Sequence, residues 1–357
     1  MQGANQEKRM PKRTGPAKNG TIIAVDASGG DYAPREVVKG AIKAAQEYQL
    51  KIALVGRKDI LTVIGGRHLN ELGISIVDAS EVISFNEHPV EAVNSKPQSS
   101  IVLGIKMVKA GQAAGFISAG NTGAVFYAAL AILGKTEGVD RPAIATIISV
   151  GDKPVLLLDS GANADCRPEH LVQFAQIGHI YATEVFGLES PRIGLLNMGG
   201  EEGKGNKLAK ESYVLLKQTK LGFIGNVEGH DISHGTADVI VTDGFTGNVV
   251  LKTIEGLGDT LLRLKNHGQT FSHEYSVRGR DLLVEVGLSA LAKRMDYRQY
   301  GGASLLGLNG NIIIAHGRSQ STAIKNAIGL AKRAAERSVW QKIKEAYNNG
   351  QTLSGRG

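Results

Sequence analysis

The sequence predicts an α/β protein with a mainly parallel sheet. Three observations carry that expectation. Short apolar runs rich in β-branched residues alternate with longer amphipathic stretches, the β-α-β rhythm that needs crossover helices. Most of these runs break at once into a polar, Gly-rich turn that opens a helix. Gly reaches 46 of 357 residues while aromatics make only 5%, a balance suited to many tight strand-to-helix turns.

The first twenty residues, MQGANQEKRMPKRTGPAKNG, are basic, contain Pro and Gly, and have no hydrophobic stretch. Residues 1–20 are expected to be a disordered tail and not a secretory signal. Residues 21–26 (TIIAVD) read as a central strand, followed by ASGGD and a helix from Pro34 to Tyr48. Asp26 therefore stands at a strand's C-terminal end, where open α/β sheets place ligands, and Asp31 is a candidate helix cap. Residues 51–56 (KIALVG) and 74–78 read as the second and third strands. Residues 82–99 are less regular, with Lys96 read as a surface lysine, and a helix is expected from Ile101 to Lys109.

Residues 115–133 (GFISAGNTGAVFYAALAIL) carry the sharpest local signal. A strand, a Gly-rich turn and a helix in that order leave backbone N–H groups facing a positive helix end, which makes an anion site. Ser118, Asn121 and Thr122 add side-chain donors, and Gly120 and Gly123 let an oxyanion approach the backbone. The alternative is an ordinary turn in which Asn121 or Thr122 caps the helix. The stretch is neither a Walker loop nor a G-x-G-x-x-G fingerprint.

Residues 143–149 and 155–159 read as two strands joined by a turn at GDKP. The loop DSGANADCRPEH then repeats the strand-turn-helix pattern, with Asn163 as a donor and Pro168 at the helix start. Cys166 is either a thiol nucleophile or a small packed residue. A strand at 192–196 ends in NMGGEEGKGN, a turn that carries Lys204. Two further strands, 222–225 and 238–242, flank a loop with Glu228 and His230. The second runs into DGFTGN, bringing Asp243, Thr246, Gly247 and Asn248 to a helix start. If all these strands are parallel, their loops meet at one edge as a cleft for a small oxyanion.

Residues 254–294 behave differently. Leu257, Leu261 and Leu264 lie on one helical face, with Arg263, Arg278, Arg280 and Arg294 around them. An inserted helical hairpin is expected there, packed on the body or on a second subunit, or meeting a membrane surface or an acidic partner. Residues 305–309 and 312–315 return to the sheet, ending at His316, and a long helix is expected to about Tyr347. The body, 21–347, is expected to form a single α/β domain, with a frayed tail at 348–357.

The net charge is +7, much of it from the basic start, and permits contact with nucleic acid, anionic lipid or an acidic protein. One cysteine excludes an intrachain disulfide and suits a reducing compartment. No apolar run is long enough to span a bilayer. No Cys/His set has zinc-ligand spacing, and no Ser-His-Asp arrangement is legible.

In this order and spacing, DASGGD, SAGNTGA, DSGAN-x-D, NVEG-x-D, DGFTGNVVLK, YGGA-x-LLG and AHG resemble the bacterial acyl-ACP:phosphate acyltransferases of phospholipid synthesis. The resemblance covers roughly residues 22–335. It implies a three-layer α/β/α sandwich of the isopropylmalate-dehydrogenase and phosphate acetyltransferase kind. It implies a homodimer that works in the cytoplasm as a peripheral enzyme at the inner membrane face. The implied reaction moves a long acyl chain from acyl carrier protein to inorganic phosphate, and the acyl phosphate goes to a membrane glycerol-phosphate acyltransferase. The family usually has Met at Ser28 and Val at Ser160 and Ala164.

On this reading Ser118, Gly120, Asn121, Thr122, Gly123, Thr246, Gly247 and Asn248 bind phosphate. Asn121, Asn163, Lys204 and Asp243 serve the chemistry, and Asp26, Gly29, Gly30 and His316 line the substrate pocket. Leu257, Leu261, Leu264, Arg263, Arg278 and Arg280 face a partner or membrane. No cofactor, metal or nucleic acid is expected. The rival expectations are an NAD-dependent dehydrogenase on a related fold and a non-catalytic membrane-surface protein.

Overall fold

The computed structural model describes residues 21–151, 153–271 and 299–348, with the backbone alone for residues 262–271. Its centre is one 11-stranded sheet in the order β3-β2-β1-β4-β11-β10-β5-β6-β9-β7-β8. The strands are β1 (Ile22–Asp26), β2 (Lys51–Gly56), β3 (Ile74–Asp78), β4 (Gly115–Ser118), β5 (Ala143–Ile148), β6 (Val155–Leu158), β7 (Ile193–Leu196), β8 (Phe223–Val227), β9 (Val239–Val241), β10 (Ala303–Leu306) and β11 (Ile312–Ile314). Their side chains alternate between faces as a two-residue period requires. Ile23, Val25 and Ile117 pack on one side; Ala24 and Phe116 pack on the other.

Helices cover both faces, which gives the expected three layers. On the first face lie α1 (Arg35–Tyr48) and the late helix of residues 321–336, packed beside α7 (Pro168–Tyr181). α1 turns Val37, Val38, Ala41, Ala44 and Ala45 inward at helical spacing. On the second face, α5 (Ser100–Lys109) and α6 (Thr122–Leu133) cover β1, β4 and β11. The same face of β6, β7 and β9 is covered by α10 (Gly244–Phe271), through Val250, Leu251 and Ile254. Short helices α2 (Lys58–Gly65), α3 (Arg67–Glu71), α4 (Pro89–Ser95), α8 (Lys207–Lys217) and α9 (Asp231–His234) fill the connections, with a π turn at Ala182–Phe186.

Three pairings break the parallel order: β11–β10, β10–β5 and β5–β6 are antiparallel. This corrects the expectation of one loop edge. β1, β4 and β11 end at one edge of the sheet, whereas β6, β7 and β9 run the opposite way and end at the other.

Two further expectations change. The inserted hairpin does not begin near residue 254, because α10 is one continuous helix from Gly244. The late helix is two, α11 (Ser321–Glu336) and α12 (Val339–Asn348), broken where Ser338 takes φ 54°. The tails 1–20 and 349–357, and the hairpin beyond residue 271, lie outside the described residues.

Candidate active-site cleft

Asp26 ends β1 wholly buried. It accepts hydrogen bonds from the amides of Ser28 (2.9 Å) and Gly29 (3.0 Å) and from Ser118 Oγ (2.6 Å). Ser118 Oγ in turn accepts from Gly120 N at 3.0 Å. Burial pushes the Asp26 carboxyl above the usual range, opposed by the Ser100 and Ser118 hydroxyls and the two amides. A Cβ on Gly29 would stand 2.7 Å from Gly120 N, and one on Gly30 3.3 Å from Gly317 O. These contacts lace the loops after β1, β4 and β11 together. Asp26, Gly29, Gly30, Ser118 and Gly120, expected at the pocket wall or around the phosphate, are thus closely packed and hydrogen-bonded among themselves.

Asn121 is committed in the same way. Its Oδ1 accepts from Ala124 N at 3.0 Å, capping α6. Its Nδ2 donates to the carbonyls of Ser84, Phe85 and Glu87, each at 3.2 Å. Gly123 faces Pro89, whose Cγ would lie 2.7 Å from an added Cβ. Thr122 alone of this turn's side chains opens into a cavity. The first-turn amides of Thr122 and Gly123 have no intrahelical acceptor.

Across the sheet, Asp159 accepts from the amides of Ile144 (3.0 Å), Gly161 (3.1 Å), Ala162 (3.1 Å) and Asn163 (2.7 Å). Asn163 Nδ2 donates to Asp159 Oδ2 (2.9 Å) and Pro142 O (2.8 Å), so Asn163 is buried support and not a free donor. Asp243 Oδ1 accepts from Thr246 N and Oδ2 from Thr246 Oγ1, both at 2.8 Å, which caps α10. A Cβ on Gly247 would collide with the Asp159 carbonyl, so glycine lets α10 dock there. Cys166 Sγ lies 3.6 Å from Asn163 O, and burial, then the nearby Asp159 charge, pushes the thiol up to about 12. A thiol held there is protonated at neutral pH.

From that anchor α10 crosses the sheet face to the opposite edge. Asn248 sits 3.5 Å from the position of a Gly161 Cβ. About two turns on, roughly 10 Å along the axis, Glu255 pairs with Lys252 at 2.8 Å and lies 3.9 Å from His316 Nε2. One turn further, Asp259 holds Arg318 at 2.6 Å.

Between α6 and α10 is a cavity of about 340 Å³. Its floor is apolar, from Ile144 and Ile148 on β5, Ala303 on β10 and Ile314 on β11. Leu251 and Ile254 form its roof. Thr122, Lys252, Glu255 and His316 stand at one end; Ser160, Gly161 and Asn248 stand towards the other. Burial, followed by Lys252 and Arg318, pushes the His316 imidazole down, against Glu255 and Asp259. Its Nδ1 accepts from Arg318 N at 3.1 Å, which leaves the neutral ring's proton on Nε2.

Of the predicted site residues, the cavity gathers Thr122, Asn248 and His316. Asp243 and Thr246 border a second cavity of about 360 Å³, beside the 197–206 turn. Lys204 is exposed on that turn and lines neither cavity. Leu257 is exposed and Leu261 half-buried on α10. Of Arg263 and Leu264 only the helical backbone is described, and Arg278 and Arg280 fall outside the described residues. Sequence reasoning missed Thr146, Ser160, Gly161, Lys252, Glu255 and Tyr300. The spacing of Asn248, Lys252 and Glu255 at i, i+4, i+7 was a usable signal, since it puts all three on one helical face.

The layers and the cleft define an α/β protein of the phosphotransacylase fold. A phosphotransacetylase from Streptococcus pyogenes matches with a TM-score of 0.59 at 17% identity, over 89% of this chain and 95% of that one. Among curated proteins, a phosphate acyltransferase from Dehalococcoides mccartyi is 58% identical over 91% of this chain and 94% of its own length. One from Dictyoglomus turgidum is 48% identical over 91% of this chain and 97% of its own length. The family described as fatty acid synthesis protein matches residues 21–342, and the chain belongs to this family of bacterial phosphate acyltransferases. It is an acyltransferase enzyme.

Proposed function

We propose that the protein moves a long fatty acyl group from the thioester of acyl carrier protein to inorganic phosphate, releasing acyl phosphate for phospholipid synthesis. The names of its relatives, phosphate acyltransferases, support the acceptor. One structural observation carries the reading: an apolar trough has anion-ready donors at its end. The first-turn amides of α6, Thr122 and neutral His316 suit a phosphate dianion, aided by Lys252. The trough of Ile144, Ile148, Leu251 and Ile254 suits an alkyl chain.

A phosphate oxygen attacks the thioester carbonyl directly. The C–O bond forms, the C–S bond breaks, and the proton of monohydrogen phosphate passes to the departing thiolate. No net proton is needed from the protein. Orientation of two bound reactants supplies roughly 7–11 kcal/mol in favourable cases. Lys252, at the phosphate end of the trough, is the side chain we assign to the tetrahedral oxyanion, where one donor is worth about 2.7–4 kcal/mol.

The same reading includes a homodimer with peripheral membrane contact. No helix among the described residues is long and apolar enough to cross a membrane. Phe245, Val249 and Leu257 leave an exposed apolar line on α10, suited to a lipid surface or a second subunit. Basic side chains near it would steer the acidic carrier protein.

The test is phosphate-dependent loss of acyl-carrier thioester, with acyl phosphate trapped by hydroxylamine. Turnover that requires both substrates supports the assignment. Folded protein that consumes the thioester without phosphate, or not at all, overturns it.

A further inference from the structure

We propose that the turn between β8 and β9 is a binding site for a divalent transition cation of the zinc type, held by His230, Asp231 and His234. These residues belong to neither cavity and have no part in the acyl-transfer reading. The ligand atoms of all three lie within 4.8 Å of one another. The two histidines bracket the single helical turn α9, four residues apart, so their rings project from one side. The ring centroids are 5.8 Å apart.

The carboxylate is the fixed element. Asp231 Oδ2 accepts from Glu228 N at 2.8 Å and Oδ1 accepts from Thr236 Oγ1 at 3.1 Å. Each oxygen keeps a lone pair, and the two bonds hold the group as metal ligands are commonly held. His230 is 63% exposed, so its ring rotates at little cost. Metal bonds of about 2.0–2.1 Å set tetrahedral ligand atoms about 3.3–3.4 Å apart, so side chains now within 4.8 Å of one another close in by up to about 1.5 Å when the ion binds. Glu228 Oε2 lies 3.9 Å from His230 Nδ1, placed to orient that ring or to add a fourth ligand.

Donor chemistry selects the ion. Two imidazoles and a carboxylate suit zinc, cobalt, nickel or copper. Magnesium and calcium prefer oxygen ligands throughout. The bound ion would pin the turn that enters β9. Its effect is therefore stabilisation with catalysis unchanged.

The experiment titrates the full-length, chelator-treated protein with zinc chloride by calorimetry, and with cobalt chloride by visible absorption. We expect one strong site per chain, a raised melting temperature and unchanged phosphate-dependent turnover. His230→Gln and His234→Gln should each weaken zinc by roughly tenfold or more, and Asp231→Asn likewise. Circular dichroism and turnover report whether each variant is folded. Equal zinc affinity in the His230→Gln/His234→Gln double variant, or no saturable binding by the wild type, overturns the site.

Discussion

Cys166 is the residue a covalent mechanism would need, and its surroundings refuse the role. The thiol is pushed up to about 12 and lies outside the cavity. Cys166→Ser should keep turnover within a few-fold of wild type. Abolished turnover in a folded variant would return the reaction to an acyl-enzyme route. Asp238 tells a different story about charge. Burial raises its carboxyl, but hydrogen bonds from the Arg192 guanidinium and backbone outweigh this and leave it below the usual range. A depressed folded pKa stabilises above the unfolded value and is lost as pH falls through the folded one. Asp238→Asn should therefore cost about 1.5–3 kcal/mol near neutral pH. The gap from wild type should close as pH falls below about 4, as denaturant melts across that range would show.

The first turn of α6 separates support from binding within two adjacent residues. Asn121→Ala removes a helix cap and the donor shared by three carbonyls. It should cost about 1–2 kcal/mol of stability and lower activity by loosening the turn. Thr122→Val touches no such network. It should leave stability within about 0.5 kcal/mol while raising the phosphate KM. Chemical melts beside phosphate titrations of the two variants check the split. If Thr122→Val instead unfolds the protein with its phosphate KM intact, the hydroxyl belongs to the scaffold. α10 makes the same point over a longer span. Its first turn docks on Asp159, and its fifth reaches Arg318, so one helix ties together the two opposed loop edges.

For the molecule as a whole, function depends on a gap left between two covered parts of one sheet face. α5 and α6 cover one side, α10 covers the other, and the antiparallel strands β10 and β5 run beneath the opening. Filling that gap should change the substrate and not the fold. Ile254→Trp, on the roof, should reduce transfer of long acyl chains more than short ones. Competition between carrier-bound chains of different length measures the shift. An equal loss for all lengths would place the alkyl chain elsewhere.

The sheet strands and most helices were legible because each is written locally. Short apolar runs made β1, β2 and β4, and polar or Gly-containing breaks marked their ends. Family membership was legible from the order of the loops. The site was legible only in part. Asn121, Asn163 and Asp26 look like donors and acceptors awaiting a ligand, yet in the fold Asp26 is taken by Ser118, Asn163 by Asp159, and Asn121 by the backbone. Buried polar groups must find partners, and a sequence does not show which partners arrive from distant strands. Lys252 and Glu255 were missed because nothing local shows that α10 crosses to His316. The sequence by itself determined the strands, most of the long helices, the three layers and the family. Only the tertiary structure decided which loops share a cleft, because β10 pairs antiparallel with β5 from a distant part of the chain, and that pairing, with the local hairpins β10–β11 and β5–β6, sends the ends of β6, β7 and β9 to the opposite edge.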